Sequence, residues 1–115
     1  MHIFLFGTPD LCGRTALLLR KHQVESFYNQ EALVDAMQRT LPDAVFSIMD
    51  GAAGMEGAMA VRRLAPQLPV AWFTGDLGFA PQAFRIQTNY FGTLPITAEK
   101  IQAAIAKCLP RGSMN

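Results

Sequence analysis

Charge is scarce in this chain, and clustered basic charge is missing altogether. Only 17% of its 115 residues are Asp, Glu, Lys or Arg, 10 basic against 9 acidic, for a formal net charge of +1. No Lys/Arg run interrupts the sequence. Affinity for nucleic acid rests mainly on clustered positive charge, so direct nucleic-acid binding is not expected, nor is attachment to an acidic membrane surface. No apolar run approaches the roughly 20 residues of a membrane-spanning helix. The apolar opening Met1–Phe6 is short, with no basic lead-in and no small-residue cleavage site, and reads as a buried strand rather than a signal peptide. Cysteine is limited to Cys12 and Cys108, too few for a disulfide framework and outside any metal-ligand spacing. A reducing cytoplasm is the expected setting. The tail Arg111–Asn115 is expected to be disordered, leaving one domain over residues 1–110.

What the chain does have is apolar residues, half of the total, enough to bury a single core. Apolar runs alternate with helical patterns five times. Ile3–Phe6 is a continuous apolar run ended by Gly7, as for a strand covered on both faces. Thr8 then caps a helix with Pro9 at its first position and Asp10 in its first turn, placing Leu11, Thr15, Leu18 and Leu19 on one side. Val24–Tyr28 is the second strand, and Asn29 caps a helix with Leu33, Met37 and Leu41 spaced by four around Ala36. Ala44–Met49 is the third strand. A small-residue loop from Gly51 to Gly54 then leads to a helix bearing Ala58, Val61 and Leu64. Val70–Phe73 is the fourth strand, a weak helix spans about Ala80–Gln87, and Tyr90–Gly92 is the fifth strand. Thr97 caps a last helix striped by Ile101, Ala104, Ile105 and Cys108, and Pro110 ends it.

Strands separated by helices imply parallel crossovers, so the expected fold is α/β. It is a doubly wound, five-stranded parallel sheet of flavodoxin-like order 2-1-3-4-5 with five helices. The first and fifth helices should cover one face and the second to fourth the other. Sites in such sheets form at the carboxyl ends of the strands, here Gly7–Thr8, Asp50–Gly51, Thr74–Gly75 and Thr93–Pro95.

Several segments, taken in order, resemble the receiver domain of bacterial two-component response regulators over nearly the whole chain. Asn29-Gln30-Glu31-Ala32-Leu33 and Leu41-Pro42-Asp43-Ala44-Val45-Phe46 are similar to that family's second helix and third strand. Pro69-Val70-Ala71-Trp72-Phe73-Thr74-Gly75 is similar to its fourth strand. Ala83-Phe84, then Tyr90-Phe91-Gly92-Thr93-Leu94-Pro95-Ile96, resembles its fifth-strand block, especially in receivers that precede LytTR-type DNA-binding domains.

The resemblance implies an acidic pair after strand one that holds Mg²⁺ and an Asp after strand three that accepts a phosphoryl group. It also implies a Thr after strand four and a Lys after strand five that bind the phosphate oxygens. A divalent cation needs several hard oxygen ligands, and the phosphate needs a cation beside it. Here the acidic-pair positions fall on Gly7 and Thr8, the Lys position falls on Leu94, and only Thr74 is in place. The acceptor position falls on Ile48 counting forward from Pro42-Asp43, or on Met49 counting back from Gly57; Asp50 is the nearest carboxylate. Asp10 and Asp76 lie near the same rim. The expectation is a pseudo-receiver: no enzyme, no metal or other cofactor, Mg²⁺ included, and no efficient phosphorylation. Thr74 and Phe91 occupy the positions of the family's switch pair, and Leu94–Pro95 that of its cis X–Pro bond. The expected partner is a protein, or a second copy in a dimer, at the face of helix four, strand five and helix five, around Phe84, Tyr90, Phe91 and Ile101.

A competing reading starts from Gly7-Thr8-Pro9-Asp10-Leu11-Cys12-Gly13-Arg14-Thr15, which resembles a phosphate-binding loop between strand and helix. That motif needs four residues between its glycines and a Lys before the Ser/Thr, whereas five intervene here and Arg14 replaces the Lys. Pro9 also removes one backbone N–H from the cradle. A small nucleotide-binding protein is therefore the second hypothesis. Ser47 lacks a nearby His to activate it and reads as a core hydroxyl. His2 and His22 read as surface residues, with His22 placed to complement a helix C-terminus. Cys12, near a helix N-terminus, offers either a buried small hydrophobe or a thiol of lowered pKa. Met49, Met55 and Met59 surround the loop after strand three, as core filling or as an adaptable surface.

Overall fold

A computed structural model describes residues 1–109. Five parallel strands, β1 (His2–Phe6), β2 (Gln23–Phe27), β3 (Ala44–Ser47), β4 (Val70–Thr74) and β5 (Tyr90–Thr93), form one sheet in the order β2-β1-β3-β4-β5. Five helices connect and follow them: α1 (Pro9–Leu18), α2 (Gln30–Arg39), α3 (Gly51–Leu64), α4 (Ala80–Arg85) and α5 (Ala98–Cys108). This is the doubly wound, flavodoxin-like arrangement expected from the alternation. No helix among the described residues is long and apolar enough to cross a membrane. Pro110 and the tail Arg111–Asn115 lie outside the described residues.

The two faces of the sheet build two apolar layers, because successive strand residues point to opposite sides. Ile3, Leu5, Phe46, Ala71 and Phe73 meet Cys12 and Leu19 from the α1 side and Ile101, Ala104 and Cys108 from α5. Phe4, Phe6, Val45, Val70 and Trp72 meet Leu33 and Met37 of α2, Ala58 and Val61 of α3, and Ala83 of α4. The central strands β3 and β4 are buried along their whole length, which is why they read as unbroken apolar runs.

Helix starts follow the capping residues. Thr8, Asn29 and Thr97 each accept a hydrogen bond from the backbone N–H three residues on. Four local expectations are corrected. Leu41 lies beyond α2, half exposed, because Thr40 is already extended and residues before a proline disfavour helix. Leu18 and Leu64 are also partly exposed rather than core. The segment Gly51–Gly54 is the first turn of α3, not a loop, with Asp50 as its N-cap. Strand three stops at Ser47, so Ile48, Met49 and Asp50 form the turn into α3.

The turn is tight because α3 lies very close to the sheet. A Cβ on Gly54 would sit 1.8 Å from the Met49 carbonyl oxygen, and one on Gly57 would sit 2.3 Å from the Phe6 ring. The Ser47 hydroxyl donates to the Gly54 carbonyl at 3.1 Å and ties strand to helix, the satisfied core hydroxyl expected there.

Candidate functional site

The carboxyl ends of β1, β3, β4 and β5 lie along one rim of the sheet, and Gly7, Thr8, Ile48 and Leu94 each have a structural occupation there. Gly7 donates its N–H to Phe27 at 3.1 Å. A Cβ on Gly7 would approach Ile48 Cγ1 to 2.6 Å, so Ile48 fills the space that any side chain at position 7 would need. Ile48 itself is fully buried, in the same apolar layer as Cys12. Thr8 is spent as the N-cap of α1. Leu94 donates its N–H to Thr74 and packs on the apolar layer beneath α1 and α5. The Leu94–Pro95 peptide bond is cis.

One carboxylate stands at the rim beside Thr74. Asp50 Oδ1 accepts from the Gly75 N–H at 2.8 Å, from the Gly51 N–H at 2.9 Å and from the Thr74 hydroxyl at 3.2 Å. The backbone donors of Gly75 and then Gly51, with the Thr74 hydroxyl adding to them, hold its pKa below the ordinary carboxylate value against a small opposing effect of burial. Thr74 is fully buried, and its oxygen also accepts from the Asp76 N–H at 3.2 Å. Asp76 in turn accepts from Gly78 at 2.8 Å and caps a 3-10 turn, Leu77–Phe79, that runs into α4.

A magnesium ion does not fit this donor set. Apart from Asp50 the positions that would bring carboxylates to it hold Gly7 and Thr8, and Gly7 has no room for a side chain. Asp10 is exposed and paired with Arg14. No cluster of three acidic, His or Cys side chains suited to a metal occurs among the described residues. The phosphate-loop reading fares no better, since the Gly7 N–H is already used, Pro9 has none, and Gly13 sits inside α1 with Arg14 turned to Asp10.

The face around α4 and β5 is divided. Phe84 is 87% exposed on α4. Beside it, Ala83, Arg85, Gln87, Asn89, Tyr90 and Phe91 line an open groove of about 590 Å³. Phe91 is half-buried, with its ring edge-on to Trp72 at 5.2 Å. Ile101 is corrected: it is 2% exposed, packed between α5 and the sheet, and is unavailable to a partner. Met49 and Met55 pack on the core rather than forming a surface. Burial raises the Cys12 thiol, against the lowered pKa considered for a redox handle. His22 accepts its place beside the terminal amine, Nδ1 to nitrogen 3.1 Å, with its pKa lowered by burial and by that positive charge.

Two cations that sequence reasoning passed over organise this region. Arg62, on α3, donates to the carbonyls of Pro66, Leu68, Ile86 and Gln87 at 2.7, 2.8, 2.8 and 3.1 Å, clamping the end of α4 to α3. Lys100, on α5, donates to the Thr93 carbonyl and hydroxyl and to the Pro95 carbonyl at 2.8, 3.1 and 2.9 Å. Neither has a sequence signal, because carbonyl acceptors leave no mark in a sequence.

No family model matches the sequence, and no curated protein matches it. Solved structures match the fold throughout. A response regulator receiver domain protein from Clostridium thermocellum superposes with a TM-score of 0.83 at 18% identity, over 98% of this chain and 97% of that one. A putative response regulator from Chloroflexus aurantiacus gives 0.79 at 20% identity, over 93% and 96%. A chemotaxis protein of Vibrio cholerae gives 0.77 at 16%, over 94% and 98%. The fold of this chain is that of response regulator receiver domains.

Proposed function

We propose that the chain is a signalling module of the receiver type that acts by protein–protein contact and without a phosphoryl group. The observation that carries this reading is the packing of Ile48 against Gly7: hydrocarbon fills the place where acceptor and metal-binding carboxylates would have to stand together. Thr74 remains, but its hydroxyl is engaged by Asp50. The output surface is the α4–β5 groove with Phe84 beside it, a large exposed apolar ring of the kind enriched at the centre of protein interfaces. Its partner is another protein or a second copy of this chain. The setting we propose is bacterial cytoplasmic signal transduction, with the module as the regulatory portion of a transcriptional regulator whose DNA contacts are made elsewhere.

The test is a titration of the folded protein with Mg²⁺ and beryllium fluoride, followed by Trp72 fluorescence. Trp72 is fully buried two residues before Thr74, with the Phe79 ring tilted against it and the Phe91 ring edge-on, so an occupied site would alter its surroundings. No saturable change is expected. A saturable change that Asp50→Asn abolishes would replace this reading with a surviving phosphate switch.

A further inference from the structure

Three groups at the end of β4 and the start of α3 converge on one oxygen. The buried Thr74 hydroxyl, the Gly75 N–H and the Gly51 N–H all point at Asp50 Oδ1, within 3.2 Å. The carboxylate also lies flat on Gly75: a Cβ there would stand 3.0 Å from Oδ2 and 3.3 Å from Oδ1. The hydroxyl and the Gly75 amide, on adjacent residues, are a pair suited to a small oxyanion, because charged acceptors make the shorter and stronger hydrogen bonds.

We propose that Asp50 is a permanent internal oxyanion: its carboxylate occupies the Thr74–Gly75 pair, excludes free phosphate or carboxylate from it, and holds the segment from β4 to α4 in one arrangement. The hold passes from Asp50 to Thr74, from Thr74 to the Asp76 N–H, and from the Asp76 carboxylate to Gly78, at the threshold of α4. Arg62 fixes the other end of the same helix through Ile86 and Gln87. The helix that carries Phe84 is thus tied at both ends by groups of the chain itself, with no external ligand required. An attached carboxylate also competes at the effective concentration of a tethered group, of order millimolar or above, which a weakly bound free anion must exceed. The consequence for Phe84 rests on the docking role proposed above; the anchor itself does not.

The test is amide NMR and hydrogen exchange on the wild type, Asp50→Ala and Asp50→Asn, each titrated with sodium acetate or inorganic phosphate against sodium chloride at matched ionic strength. In Asp50→Ala the amides of Gly75 and Gly78 should exchange about tenfold faster or more, as expected for loss of a charge-assisted bond. The amides of Phe4 and Phe46 in the central strands should be unchanged. Acetate or phosphate should saturably restore the Gly75 resonance in this variant and leave the wild type unmoved. Asp50→Asn, which preserves shape and one acceptor oxygen, should fall between the two and keeps the test available should the alanine variant fail to fold. Exchange at Gly75 within twofold of wild type in the variants, no restoration by either anion, or an equal anion response in the wild type would each overturn the proposal. Freed Gly75 with unchanged Phe84-dependent association would support the anchor while removing the docking reading.

Discussion

Replacing Gly57 by Ala tests how α3 is seated, and with it the position of Asp50 over Thr74. In an exposed helix interior this change is worth about 1 kcal/mol of stabilisation, because Gly has the greater backbone entropy to lose. At Gly57 the new Cβ would stand 2.3 and 2.6 Å from two carbons of the Phe6 ring, where ordinary carbon contacts are about 3.5–4.0 Å. Something must retreat by more than an ångström. Phe6 is 2% exposed and packed among α2 and α3 residues, so its ring has no vacant space to enter. Overpacking of this kind costs about 1–3 kcal/mol, and a contact this close belongs at the upper end. After the propensity gain, a net loss of about 1–2 kcal/mol remains, or roughly 4–8 °C in Tm for a domain of this size. Gly13 supplies the internal control: it lies within α1 with nothing within 4 Å of a new Cβ. Gly13→Ala should therefore raise stability by about 1 kcal/mol. The assay is paired thermal and urea unfolding of both variants. A Gly57→Ala protein as stable as wild type would refute the close seating of α3.

Further outcomes follow from the same contacts. Arg62→Met keeps the aliphatic stem but removes all four carbonyl contacts; given partial exposure and non-additivity it should cost about 2–3 kcal/mol in urea unfolding, with faster exchange at the end of α4. Phe84→Arg should leave stability within about 0.5 kcal/mol, because the ring is exposed; if the occupant of the proposed docking surface is a second copy of this chain, the variant should sediment as a monomer at concentrations where the wild type associates. Asp50 has a lowered folded-state pKa, so its stabilisation is complete above the ordinary value of 3.8 and is lost as pH falls through the lower folded value. The stability gap between wild type and Asp50→Ala, measured by urea unfolding at stepped pH, should be constant near neutrality and shrink below that point. The Cys108 thiol is pushed up to about 12 by burial, and burial also raises Cys12, so iodoacetamide at pH 8 should label neither until the protein unfolds.

Much of the fold was legible because it rests on local rules. Thr8, Asn29 and Thr97 announced helix starts through their own side-chain oxygens, and the burial of β3 and β4 on both faces wrote itself as apolar runs. Leu41 misled for a local reason of its own: it continues the four-residue spacing of α2, yet Pro42 behind it favours extended backbone. The residues at the positions that the resemblance assigns to an acidic pair and a Lys could also be read directly, as Gly7, Thr8 and Leu94. The role of Asp50 was not. Neither counting scheme placed the acceptor position on it, because the outcome depends on where β3 ends and how sharply the chain turns into α3.

That turn marks the division between the two sources of information. Residue identity by itself determined the alternation of strands and helices, the parallel crossovers that follow from it, and the placing of Gly7, Thr8 and Leu94 at the positions where the family it resembles is expected to carry its acidic pair and Lys. Periodicity, capping and chemistry are properties of neighbours along the chain. Only the tertiary structure decided that Ile48 closes the space beside Gly7, that Asp50 reaches Thr74 and Gly75 instead of solvent, that Arg62 clamps α4, and that Ile101 is core while Phe84 is surface. These contacts join residues as much as 41 positions apart in sequence, Gly7 and Ile48. They depend on register, on helix seating at two glycines and on bonds to backbone carbonyls, none of which has a composition of its own.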